Sequence, residues 1–84
     1  MHVDAYEELH REAERQGLRV HLEAEGVGAR ARLKRLAVLE VDPADTSGER
    51  LREVVALRVG GRSLERTAGA CLAFLQARRA AERP

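Results

Sequence analysis

At Gly17 the apolar period of the chain changes from that of a helix to that of a strand, so the fold must hold both kinds of element. Upstream, Val3, Tyr6, Leu9 or His10, and Ala13 recur at helical spacing. Glu7, Glu8, Arg11, Glu12, Glu14 and Arg15 fill the other face. Asp4 with Glu7 three residues on has the form of a capping box, and a glycine at 17 is well placed to stop the helix. The spacing predicts a helix over 4–16. Downstream, Leu18, Val20, Leu22 and Ala24 alternate with Arg19, His21, Glu23 and Glu25, as in a strand with one buried face.

Gly26-Val27-Gly28 reads as a turn, because glycine supplies positive φ at little cost. A second strand is predicted over 32–41. There Leu33, Ala37, Leu39 and Val41 could face one way, with Leu36 and Val38 on the other, as in a central strand covered on both sides. Residues 43–48 are a loop by composition. The β-branched residues of 51–59, the shortness of the segment and the Gly60-Gly61 stop favour a third strand over a helix. Ser63 is a natural N-cap for a last helix, and Glu65 in its first turn suits the dipole. Leu64, Ala68, Cys71, Leu72 and Leu75 form its apolar stripe, widened by Thr67 and Phe74. The expected fold is α+β in the order α-β-β-β-α, a three-stranded antiparallel sheet with both helices on one face.

Length limits what such a fold can contain. The 84 residues are read as a single domain, 1–84, which buries about 60–65% of the surface its unfolded chain exposes. Fifteen basic residues against fourteen acidic ones exclude an overall polycation but leave room for a local basic patch. Cys71 is alone and can form no internal disulfide. No basic segment with an apolar run opens the chain, so a cytoplasmic location is expected. The longest uncharged stretch, 67–77, is far short of the roughly 20 apolar residues of a membrane span, so no membrane partner is expected. Fourteen arginines to one lysine, with no asparagine, suggest a GC-rich genome and a thermophilic host.

Catalytic chemistry finds little footing. His2, His10 and His21 stand apart from one another and from Cys71, whereas structural zinc sites use close pairs of ligands. His10 is better placed to pack beside Tyr6. Cys71 lies on an apolar stripe, where cysteine is ordinarily a small core residue. Glu23 and Glu25 lie two apart on the solvent face of a strand, with no cleft to separate their acidities. No catalytic residue, metal site, cofactor or small-molecule substrate is therefore assigned, and the chain is expected not to be an enzyme.

Two basic features stand out. In Val59-Gly60-Gly61-Arg62-Ser63-Leu64-Glu65-Arg66 a strand runs through two glycines into a helix N-terminus. Free amides and the positive dipole end favour an anion there, and Arg62 and Arg66 add charge. For the glycines alone a plain strand-to-helix turn is the better explanation, and the two arginines are what weigh toward an anion. Arg30, Arg32, Lys34 and Arg35 follow the Gly26 turn, with no acid among them, and could hold a phosphate backbone. No aromatic residue is interleaved, which argues against base stacking.

The element order, with Gly61-Arg62-Ser63 opening the last helix, resembles the double-stranded RNA-binding domain. In that family a Gly-x-Ser turn begins the last helix and small residues pack it on the sheet. Ser63, Thr67, Ala70, Cys71 and Phe74 fall at comparable places here, and the Gly26–Gly28 turn stands where the family has its minor-groove loop. The resemblance implies the same fold and an RNA partner. Leu64 and Glu65, however, occupy the positions of the family's lysine pair, and Ala29, Arg30 and Ala31 stand where it has a loop histidine. The first helix is also acidic, through Glu7, Glu8, Glu12 and Glu14.

Two functions from different classes follow. The first-ranked is a non-catalytic accessory protein that forms a homo-oligomer. Gly69, Ala73 and Ala77 make a small-residue stripe on the last helix, and a mid-helix glycine costs about 1 kcal/mol against alanine. Leu36, Val38, Val54 and Ala56 would give the sheet an uncovered apolar back. The alternative is an RNA-binding module, with Gly60, Gly61, Arg62, Ser63 and Arg66 at the helix start and Arg30, Arg32 and Lys34 in the hairpin holding phosphates.

Overall fold

In the computed structural model, which describes residues 4–59 and 63–82, the order is α1 (Ala5–Arg15), β1 (Arg19–Glu25), β2 (Arg32–Val41), β3 (Leu51–Arg58) and α2 (Leu64–Ala81). A single 3-10 turn, Gly28–Arg30, joins β1 to β2. The strands form an antiparallel sheet in the order β1-β2-β3, with α1 and α2 packed on each other and on one face. The expected α+β fold is what the chain adopts.

Local chemistry explains the first helix boundaries. The Asp4 side chain accepts the Glu7 amide at 2.8 Å, which satisfies one of the free donors of the first turn. At the other end Gly17 takes φ +71°. Its amide donates to the Glu14 carbonyl at 3.0 Å, and the Leu18 amide reaches back to Ala13 at 2.8 Å. That pair of bonds is a Schellman close, and it turns the buried Leu18 side chain into the core. Helix α2 opens with the Ser63 carbonyl accepting both the Thr67 amide, at 2.8 Å, and the Thr67 hydroxyl, at 2.7 Å.

The core lies between the helices and the sheet. Leu9 and Ala13 of α1, Ala68, Cys71 and Leu75 of α2, and Leu36 and Val38 of β2 are all buried there. Each fully buried leucine contributes about 1.5–3 kcal/mol over its exposed state. The helices run side by side in the same direction. The Ala5 amide, at the start of α1, donates to Glu65 in the first turn of α2, and Gln16, at the end of α1, donates to the Leu75 carbonyl at 2.8 Å.

Two bulges decide which way the strands face. Between Glu23 and Ala24 the β1–β2 register shifts past Lys34, and between Val38 and Leu39 the β2–β3 register shifts past Val54. An extra residue in one strand bends it and brings two neighbours toward one side. Leu33 consequently packs on the core together with Leu36 and Val38, whereas alternation had set it with Ala37, Leu39 and Val41. Val54 and Val55 both pack on the core as well.

Three further expectations are corrected. Leu36 and Val38 are not the sheet's uncovered back, because both are fully buried beneath the helices. Glu12 does not lie on the solvent face of α1, because its side chain is fully enclosed at the α1–α2 interface. Phe74 does not widen the α2 core stripe, for it is 46% exposed. Thr67 and Cys71 are buried as expected, and Tyr6 and His10 pack edge to face with ring centroids 4.6 Å apart.

Candidate functional site

The basic hairpin and the start of α2 come together at one end of the molecule. The Val59 amide donates to the Lys34 carbonyl at 2.7 Å, so the chain leaving β3 is held beside the beginning of β2. The Thr67 hydroxyl also lies 3.4 Å from the Arg58 carbonyl, tying the first turn of α2 to the end of β3. Glu25, Ala31, Arg32, Leu33, Lys34 and Val59 line an open depression there.

The hairpin that presents Arg30 and Arg32 depends on Gly26. Its φ is +92°, and a Cβ at that position would stand 2.9 Å from the Arg30 carbonyl oxygen. Only glycine lets the chain approach itself so closely.

The charges fall into two populations. Arg11, Arg15, Lys34, Arg35, Arg50, Arg52, Arg78 and Arg79 each have a carboxylate partner. Among the described residues, Arg19, Arg30, Arg32, Arg58 and Arg66 have none. All but Arg19 belong to the end where the hairpin, the last residue of β3 and the first turn of α2 meet. The acids nearby are already engaged. Glu25 pairs with Lys34 at 3.0 Å, Glu23 with Arg35 at 3.3 Å, and Glu65 accepts the Ala5 amide at 2.8 Å. That end therefore carries uncompensated positive charge, although the chain as a whole is nearly neutral.

The sequence-predicted residues are divided by the fold. Arg30, Arg32, Lys34 and Arg66 share this end, with Ser63 at the N-cap position of α2. Gly60, Gly61 and Arg62 lie outside the described residues. Of the self-association set, Leu36, Val38 and Val54 serve the monomer's own core. Gly69 faces α1, since a Cβ there would meet the Ala5 methyl at 4.0 Å. Ala73 and Ala77 remain exposed on α2.

Arg58 was not anticipated, because its place opposite Arg35 depends on the pairing of β2 with β3. The carboxylate cluster between the helices was also missed. Glu12 takes Arg15 at 3.1 Å, Gln16 at 3.0 Å and Arg79 at 3.2 Å. The Gln16 hydrogen bond holds its pKa below the ordinary glutamate value against the opposing effect of burial, and Arg79 and Arg15 act in the same sense. The signal was Glu12 standing between Leu9 and Gln16 at helical spacing.

Among the described residues, no group of three or more His, Cys, Asp or Glu side chains could hold a metal ion, and no helix is long and apolar enough to cross a membrane. No family model, curated protein or solved structure matches the chain.

Proposed function

We propose that this chain binds the phosphate backbone of duplex RNA through the hairpin end, with Arg30, Arg32 and Arg66 as the principal contacts and Lys34 beside them. The observation that carries this reading is the concentration there of arginines without carboxylate partners. An exposed guanidinium with no internal partner is available to a phosphate, and releasing the condensed counterions of a nucleic acid drives the association.

Two features narrow the ligand. The described basic end holds no aromatic side chain on which an unstacked base could rest, which favours a backbone reader over a single-strand reader. The inward turn of Glu12, together with the Glu8–Arg11 pair at 3.2 Å, removes part of the repulsion that an acidic first helix would offer to phosphate. These points reverse the ranking that the sequence suggested, since the residues behind self-association serve mainly the inside of the fold.

Fluorescence anisotropy with a labelled RNA duplex tests the reading. Affinity should fall steeply as salt rises. The Arg30→Ala, Arg32→Ala, Arg66→Ala triple variant should lower the slope of log affinity against log salt by about two to three, the value for as many lost phosphate contacts. Arg50→Ala, just before β3 at the opposite end, should leave it unchanged. No binding at low salt, or a triple variant that binds like the parent chain, would remove the proposal.

A further inference from the structure

The face of the sheet turned away from the helices has a charge pattern that complements itself. The registers place three rows across it: Arg19–Leu39–Glu53, His21–Ala37–Ala56 and Glu23–Arg35–Arg58. Ala37, at the centre, is closed over by its neighbours on the sheet and only 1% exposed, and the residues around it lie outside the core cluster. Arg35 binds Glu53 at 2.6 Å and Glu23 at 3.3 Å, which confirms that the outer rows share a face. Beyond the first row, Val41 pairs with Leu51, and these residues are 42% and 39% exposed. The face is apolar at that end, along Leu39, Val41 and Leu51, and charged at its corners.

The corner signs matter. Along β1 they run Arg19 then Glu23, and along β3 they run Glu53 then Arg58. Each row thus has opposite polarity at its two edges, apart from Arg35 in the middle of the last. Arg19 and Arg58, the two cationic corners, are also the arginines of this face that have no ion pair among the described residues.

We infer that this face binds a second copy of the same chain, about a two-fold axis lying along β2 in the plane between the two sheets. Such an axis exchanges β1 with β3 and keeps each row opposite itself. Arg19 then faces Glu53 of the second copy, and Glu23 faces its Arg58. Leu39 and Val41 meet their own counterparts. The central Arg35 meets its counterpart too, each flanked by two carboxylates that offset its charge. Strands crossing at a small angle are the ordinary outcome when two twisted sheets pack face to face. A two-fold interface must be complementary to itself, and this one is so in both charge and polarity.

The interface leaves Arg30, Arg32 and Arg66 outside it, so it does not depend on the RNA-binding reading. Sedimentation equilibrium of the full chain and its variants tests it. The parent chain should dimerise, and Leu39→Asp should abolish the dimer while circular dichroism shows the fold retained. Arg19→Glu alone and Glu53→Arg alone should each weaken the dimer by about tenfold or more, since two pairs per dimer turn repulsive. The double variant Arg19→Glu, Glu53→Arg should restore it, because the reversed charges again face each other across the axis. A parent chain monomeric at high micromolar concentration would overturn the inference. So would a dimer indifferent to Leu39→Asp, or single variants that the double variant does not rescue.

Discussion

Glu12 of α1 and Arg79 of α2 meet at 3.2 Å across the helix interface, the glutamate side chain fully enclosed and the arginine side chain 41% exposed. The arrangement lets a buried charge keep its ionised form, because Gln16, Arg15 and Arg79 all contact it while the cations stay partly hydrated. Glu12→Gln should therefore lower stability at neutral pH by about 1–3 kcal/mol, through loss of charge-assisted hydrogen bonds. Urea unfolding of the two proteins measures the difference.

The same carboxylate predicts how stability depends on pH. Its pKa is lowered, chiefly by the Gln16 hydrogen bond. That of Glu40 is lowered chiefly by Arg52, whose Nε donates to it at 3.0 Å, with help from Arg78 at 3.1 Å on the other oxygen. A depressed folded-state pKa means that the unfolded chain binds more protons at acid pH. The stabilisation is complete well above the unfolded value of about 4.3, declines as the unfolded chain begins to take up protons, and is lost once pH has fallen through the lower, folded value. Thermal unfolding should be nearly flat from pH 7 to about 5.5 and drop progressively below about 5. Glu12→Gln should make that drop shallower.

Leu36 and Leu39 report which face of β2 is the core. Leu36 is fully buried between sheet and helices, and Leu39 lies in the open face. Leu36→Ala should cost about 2–5 kcal/mol, through lost transfer energy and the cavity left behind. Leu39→Ala should cost well under half as much at concentrations where the chain is monomeric. Equal losses from chemical denaturation would place both residues in one core.

Element boundaries were legible because short-range chemistry sets them. The 32–41 strand was read with the observed ends, and Asp4 and Gly17 bracket α1 as their side-chain and backbone preferences require. The facing of β2 was not legible. Both parities of that strand are apolar, so alternation could not choose between Leu36 with Val38 and Ala37 with Leu39. The bulge at Lys34 then sets Leu33 and Leu36, three residues apart, on one side. The basic end was half legible. Arg30, Arg32 and Lys34 are adjacent in sequence, but which arginines lack a carboxylate is a property of the folded sheet.

Cys71 is fully buried on the core side of α2, and burial pushes its thiol pKa up. A thiol rather than a thiolate, closed off from solvent, is a poor nucleophile. Ellman's reagent should react with the native protein only at the rate at which the α2 core opens, and promptly in denaturant. Fast labelling of the native chain would show that α2 detaches readily from the sheet.

Gly26 allows hairpin geometry to be separated from charge. Replacing it with alanine asks an L-residue to hold φ near +92° and brings a methyl carbon within 2.9 Å of the Arg30 carbonyl oxygen. That atom is backbone, so the contact is relieved only by moving the 3-10 turn that carries Arg30. The strain amounts to about 1–3 kcal/mol, spent locally in the loop rather than in the core. Global stability should fall modestly while the sheet and both helices persist by circular dichroism. If Arg30 and Arg32 grip phosphates as a fixed pair, the displaced turn should weaken duplex RNA binding although no charge has been removed. The salt slope should then fall with the affinity, because fewer phosphates are neutralised at once. Weaker binding with an unchanged slope would mean that the arginines reach the backbone independently of the turn, and that their charge alone matters.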